Sequence, residues 1–417
     1  MIRMALFISG LGALCAAAAA APCNAAARNE AVYHAVESSR AGALDLLKQI
    51  VNIDSGSGDV AGGEQVLQVL APRLQASGAR LEYHPAESRG LPPNLVAVYH
   101  GSGTARILII AHIDTVFGPG TAAKRPFSIA GDRAHGAGVG DEKAGVVNAV
   151  TALKILHDLH FNQFGTITLL LDSSEELGST GSTGLIKTLA RQSDVEFNME
   201  PGDPPDALTV WRKGAGDIAI HVDGRAAHAG MAPQNGRNAA VEILHQLSTV
   251  QAEFPHSGEG TTVNLTVLKS GDRNNIIPDS ADATLDVRVR KADDFDAVLA
   301  KLKVLGAQTV VPETRVSVAS HGPAYPPLVD GPQVHALGVR AQEIYAELGR
   351  TVALSGNGGA SESAVANAAG IPALDGLGYV GGDFHTDHEW IDLQSVTPRL
   401  YLFTRLLMEL SGAPPGK

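Results

Sequence analysis

Three short, nearly unbroken apolar runs each end in acid or imidazole, and this feature limits the possible fold more than any other. RILIIA (106–111) runs into His112-Ile113-Asp114, and TITLLL (166–171) into Asp172-Ser173-Ser174-Glu175-Glu176. Val195, Phe197 and Met199 lead into Glu200-Pro201. A continuous apolar run of this length predicts a strand buried on both faces, and such a strand needs helices above and below it. Helical spacing over 41–51, 64–76 and 143–159 supplies them. The predicted class is α/β, a mixed and mostly parallel sheet with helices on both faces. Ligands of such sheets sit beyond the carboxyl ends of the strands, where these acids and imidazoles gather.

The texture changes after Lys213. Strand patterns over 217–222, 261–268, 283–289 and 315–319 alternate with helical patterns over 237–250 and 295–305. The order βαββαβ predicts an inserted ferredoxin-like domain. The Pro-rich stretch 323–327 reads as the hinge back. The expected organisation is a main domain in two segments, 28–213 and 326–417, carrying an insert at 214–325.

Composition narrows the chemistry. The 417 residues carry 32 Lys and Arg against 44 Asp and Glu, a net charge of −12 without basic runs, which argues against nucleic acid as a partner. Both cysteines, Cys15 and Cys23, fall in the first 27 residues. The rest of the chain therefore has no thiol nucleophile and no Cys-ligated metal. Residues 1–27 combine Arg3, an apolar run and Ala-rich cleavage candidates, the pattern of a signal peptide, which predicts a periplasmic or secreted protein. No later run is long enough to span a bilayer, so no membrane association is expected once the leader is removed.

Acids crowded on one sheet edge resist ionising together, and a cation resolves the conflict. Two imidazoles and three carboxylates suit zinc. Five ligands serve two ions if one carboxylate is shared, which is a two-metal arrangement. The loop Gly136–Gly140 is no phosphate cradle, because no Gly-Lys-Ser/Thr follows it.

His112-Ile113-Asp114, Gly140-Asp141-Glu142-Lys143, Glu175-Glu176, Glu200-Pro201 and His385-Thr386-Asp387 stand in an order and spacing that resemble the di-zinc exopeptidases. That family includes glutamate carboxypeptidase, aminoacylase and succinyl-diaminopimelate desuccinylase. Within it the chain resembles the folate-hydrolysing carboxypeptidase G type, a likeness that extends to Ala227-His228-Ala229-Gly230 and Asn274–Pro278 in the insert. The resemblance implies one zinc on His112 and Glu200 and a second on Glu176 and His385. Asp141 and a water or hydroxide would bridge them.

It further implies that Asp114 orients His112, that Glu175 is the general base, and that His228 stabilises the oxyanion, in dimers from the partner subunit. Asn275 and Arg288 would meet the substrate carboxylate, and Ser361 would donate a hydrogen bond to it. The implied activity is hydrolysis of the amide next to a free C-terminal carboxylate in an N-acyl amino acid, dipeptide or folate-like conjugate, by a homodimer formed through 214–325. An aminoacylase or dipeptidase with apolar preference is the alternative, and a zinc-binding periplasmic solute receptor the remote one. Three positions depart from the family pattern: Glu142 replaces Asp, Glu362 follows Ser361 where Asp is usual, and Gly322 precedes Pro323 where glutamate-releasing members carry Arg. Arg212 and Lys213 are candidates to replace that charge.

Overall fold

A computed structural model describes residues 27–411, so the expected leader, Ala27 aside, and both cysteines lie outside the described residues. The main sheet has six strands, in the order Arg80–His84, Asn94–His100, Thr166–Asp172, Arg106–His112, Val195–Asn198, Ala373–Leu374. The last four run parallel, while Asn94–His100 is antiparallel to Thr166–Asp172 and to Arg80–His84.

The unbroken apolar runs are explained by what lies on the two faces. Ile107, Ile109 and Ala111 point into one cluster with helices Glu30–Val51, Val60–Ala76, Gly145–Asp158 and Val396–Leu410. Leu108 and Ile110 point into another with Thr183–Arg191 and Glu362–Ala368. Alternation along a strand sends successive side chains to opposite faces, so a strand covered twice must be apolar throughout. Each such side chain contributes about 1.5–3 kcal/mol when fully buried.

The helical pattern from Lys143 becomes an α-helix only at Gly145. Before it, Val139–Ala144 forms a distorted turn in which Asp141 has φ −110° and ψ 96°. A Cβ on Gly145 would stand 2.0 Å from the Met199 carbonyl oxygen, so only glycine lets this helix start press against the segment that leads from strand Val195–Asn198 to Glu200. That contact brings Asp141 and Glu200 to the same edge.

A second sheet is wholly antiparallel, in the order Thr262–Ser270, Ser280–Val289, Gly214–Asp223, Arg315–Tyr325. Helices Ala239–Glu253 and Ala292–Gly306 pack on it around a separate apolar cluster that includes Ile218, Ile220, Ile243, Leu285 and Leu302. In chain order these elements read βαββαβ. The last strand does not stop where the prolines begin. Its register shifts between His321 and Tyr325, with Gly322 at φ 87°, and pairing continues to Tyr325 opposite Ala215. An irregular edge strand tolerates Pro323 because the ladder is already interrupted there.

Candidate active site

His112 is the last residue of strand Arg106–His112 and is fully buried. Its Nε2 lies 3.1 Å from Asp141 Oδ1 and 3.8 Å from Glu200 Oε1. The other Asp141 oxygen, Oδ2, lies 3.0 Å from His385 Nε2, which is also 3.3 Å from Glu176 Oε2. One carboxylate thus spans two imidazoles; Glu142, at 3.5 Å, and Glu200 flank the first, and Glu176 the second. His385 is held in the left-handed region at φ 62° by the loop that follows Gly381–Gly382. All five residues expected as ligands are brought together.

The charges are out of balance for a site of protein groups alone. Burial, with Asp141 next to it, raises the Glu200 carboxyl to about 8. Hydrogen bonds accepted by Asp141 and Glu176 push the His385 imidazole up to about 10. Burial opposes charge on His112 too, but Asp114, Asp141 and Glu142 together hold it well above its ordinary value. Desolvation opposes charge on Asp141 as well, and the two imidazoles nevertheless keep it below the usual carboxylate range. Glu176 Oε1 is buried and has no hydrogen-bond partner. Oxygen and nitrogen donors of His112, Glu142 and Glu200, and those of Asp141, Glu176 and His385, lie mutually within 4.8 Å. Hard oxygens and imidazoles at this spacing fit a divalent cation.

Glu175 sits at the tip of the strand Thr166–Asp172 edge, half-buried beside Glu176. Burial and the nearby Glu362 hold its carboxyl well above the ordinary range. Both acids are fixed through their backbone. The Asp114 carboxylate accepts from Glu175 N at 3.1 Å, Glu176 N at 3.3 Å and Ser57 Oγ at 2.6 Å. Asp114 approaches the His112 ring as well, but the nearer group to Nδ1 is its carbonyl oxygen, at 3.1 Å, against 3.4 Å for the carboxylate. Asp114 therefore orients two elements, the imidazole and the turn that carries Glu175.

A cleft of about 240 Å³ is lined by Asp141, Glu175, Glu176, Glu200, Arg212 and His385, with Asn357 and Gly359 at its rim. The expected substrate residues are not among its lining. Ser361 is fully buried and its hydroxyl is 2.6 Å from Asp375 Oδ2, so the structure directs it away from the cleft. Arg288 is bound to Asp286 through Nε and Nη2 and reaches the Gly358 carbonyl at 3.4 Å. Asn275 and His228 are exposed on the second unit, where the His228 Nδ1 accepts from Gly230 N and Met231 N.

Sequence reasoning missed three supports. The buried Glu389 accepts from the backbone N–H groups of Gly138, Gly140 and Asp141, and so fixes the turn that carries Asp141. Glu142, which departs from the family's Asp, is fully buried and accepts from His112 N at 2.9 Å. Arg212 is locked in a two-pronged contact with Asp375, at 2.6 and 3.1 Å, and its Nη2 stands 3.6 Å from Glu200 Oε2. The one signal for the last was Asp375 itself, an acid directly after the apolar Ala373-Leu374.

The pattern of Peptidase family M20/M25/M40 matches residues 108–409. Carboxypeptidase G2 of Pseudomonas sp. (strain RS-16) is 32% identical over 390 residues, covering 92% of this chain and 93% of that protein. The chain belongs to peptidase family M20. Among solved structures, a tripeptidase from Staphylococcus aureus superposes with TM-score 0.74 at 20% identity, over 89% of this chain and 98% of that one. An M20 family metallo-carboxypeptidase from Sulfolobus solfataricus gives 0.70 at 17%, over 88% and 99%. As an M20 member this chain is a metal-dependent hydrolase of the metallocarboxypeptidase kind. The solute-receptor alternative is thereby overturned, because the chain belongs to a family of peptidases.

Proposed function

We propose that the M20 member is a secreted di-zinc carboxypeptidase of glutamate-carboxypeptidase type. It releases an amino acid from N-acyl amino acids, dipeptides or folate-like conjugates by hydrolysing the amide next to a free C-terminal carboxylate. The observation that carries this reading is the Asp141 carboxylate, with one oxygen 3.1 Å from His112 and the other 3.0 Å from His385.

His112, Asp141 and Glu200 would hold one zinc, and Asp141, Glu176 and His385 the other. Bound zinc supplies Lewis acidity toward the scissile carbonyl and toward water. Glu175 forms no ion pair within 4.0 Å among the described residues, and burial raises its carboxyl pKa, which suits a group that takes a proton from water and returns it to the leaving nitrogen. Asp114 keeps Glu175 in place through its backbone N–H. Arg288 and Asn275 receive the substrate carboxylate once the second unit closes on the cleft, and Arg288 already contacts the rim at Gly358.

His228, exposed and not among the residues that line the cleft, acts on the oxyanion from the partner subunit. The dimer surface is the edge strand Thr262–Ser270, where Leu265, Val267 and Leu268 are exposed. The leader pattern over residues 1–27 supports export.

The test is amino-acid release by the zinc-loaded protein from a panel of N-acyl and folyl amino acids, alongside Glu175→Gln. Release that stops in Glu175→Gln while two zinc ions per chain remain bound supports the reading. Full activity of the variant removes the general base, and turnover of apolar conjugates alone moves the protein to the aminoacylase or dipeptidase alternative.

A further inference from the structure

The chain enters the second unit at Gly214 and leaves it at Tyr325, and these two connections touch. A Cβ on Gly214 would stand 2.7 Å from the Tyr325 carbonyl oxygen and 2.9 Å from Pro327 N, so only glycine fits there. The Tyr325 backbone belongs to the second sheet, where it pairs with Ala215. Its side chain belongs to the main domain and packs on the apolar cluster of Leu108, Ile110 and Ile186. The hinge residue thus has its backbone in one unit and its ring in the other.

That ring lies on the turn that carries Glu175. A Cβ on Gly178 would meet Tyr325 Cε2 at 3.5 Å, and the Tyr325 hydroxyl is hydrogen-bonded to Ser179 Oγ. Gly178 and Ser179 close the turn: their N–H groups donate to the Glu175 carbonyl at 2.7 and 3.3 Å. Both residues are left-handed, with φ 76° and 47°. Glycine adopts that conformation freely, whereas serine is strained in it and stays there only where its surroundings hold it. Ser179 is fully buried, and Tyr325 is the one partner of its hydroxyl among the described residues. Burial, and then the nearby Glu175 and Glu362, raise the phenol well above its ordinary range, so it keeps its proton at neutral pH.

Glu175 is therefore held from two sides. Asp114 accepts from its N–H, and the two left-handed residues under the hinge ring hold its carbonyl. A base takes a proton only across about 2.6–3.2 Å. A misplacement of about 1 Å costs on the order of 100-fold in rate. A base anchored on one side to the hinge has its place set by the second unit.

We propose that Tyr325 is a positioning residue that ties Glu175 to the hinge through Ser179, so that closure of the second unit and placement of the base are one event. The proposal rests on the reading of Glu175 as general base and adds to it what sets that base in place.

The experiment measures kcat and KM of the zinc-loaded protein for N-acetylglutamate and N-acetylleucine in Tyr325→Phe, Ser179→Gly and the double variant, with urea unfolding, bound zinc and amide hydrogen exchange on each. Tyr325→Phe keeps the ring and deletes the bond. Ser179→Gly deletes the same bond and relieves the left-handed strain, so stability is kept or raised. The tie predicts a fall in kcat of about tenfold in each single variant, the scale of one lost hydrogen bond, with KM and bound zinc within about twofold. The double variant falls no further, because both changes delete one interaction. Protection of the amides at 178 and 179 drops in both single variants. Full kcat in either single variant, or losses that multiply in the double, overturns the tie. Unchanged amide protection overturns it too. Reduced protection in a protein that hydrolyses no N-acyl or folyl amino acid leaves the tie standing and overturns the reading of Glu175 as a base.

Discussion

Asp141 and His385 are 244 positions apart, and the carboxylate Oδ2 of one lies 3.0 Å from the imidazole Nε2 of the other. Asp141 is fixed by a glycine-rich turn held on Glu389, and His385 by a strained loop after the sheet. The acids that surround this pair are crowded and buried, which sets the first prediction.

Stripping divalent ions from the protein abolishes hydrolysis and lowers the thermal midpoint, because ions that bind only the native state stabilise it by mass action. At zinc 100-fold above its dissociation constant the effect is about 2.7 kcal/mol per site. Scanning calorimetry with and without zinc checks it. An unchanged midpoint would show that these donors do not hold a cation.

Asp114→Asn keeps the carbonyl beside His112 but offers one acceptor where two carboxylate oxygens now serve three donors. The loss falls on the turn that carries Glu175 and Glu176. Activity and zinc affinity are both expected to drop about 10- to 100-fold, the usual scale for groups that orient ligands. Zinc titration together with kcat reads both, and a loss of kcat alone would confine the role to Glu175.

Arg212 and Asp375 are 5% and 0% exposed and hold each other at 2.6 Å. Removing one partner leaves a buried charge, so Asp375→Ala is expected to cost about 3–5 kcal/mol in urea unfolding. The double variant Arg212→Met with Asp375→Leu recovers much of that loss. Equal destabilisation by the single and double variants would place the cost in packing instead of charge.

Glu196 is fully buried on strand Val195–Asn198, and neither of its carboxyl oxygens has a hydrogen-bond partner. Burial, with Asp375 and Glu362 nearby, raises its pKa well above 4.5. The native state therefore holds this proton more tightly than the unfolded chain does. Its contribution is most favourable below about pH 4.5 and is lost as pH rises from there toward the native value. Glu196→Gln is expected to be near neutral at pH 4 and stabilising at pH 8, as read by urea midpoints. A variant equally shifted at both pH values would show that ionisation is not the cause.

Much of the fold and of the candidate site was legible in the chain. RILIIA and TITLLL announced doubly covered strands because a strand buried on both faces leaves few positions for a polar residue, and the second sheet followed its predicted βαββαβ order. The helix pattern from Lys143 misled at its start, since the packing of Gly145 on Met199 bends the backbone and no local preference encodes that. The prolines after Gly322 likewise suggested an end to a strand that pairs on to Tyr325. Ser361 looked like a substrate donor, but a glycine-rich loop carries no record of which way its hydroxyl turns.

The sequence by itself determined which strands are buried, where their ends fall, and which acids and imidazoles stand at those ends, because burial and alternation act locally along the chain. Only the tertiary structure decided that Asp375 neutralises Arg212, that Asp114 serves a turn as well as a ring, and that Glu389 holds the loop of Asp141. Each of these is a contact between segments far apart in sequence, and charge compensation depends on distance in space.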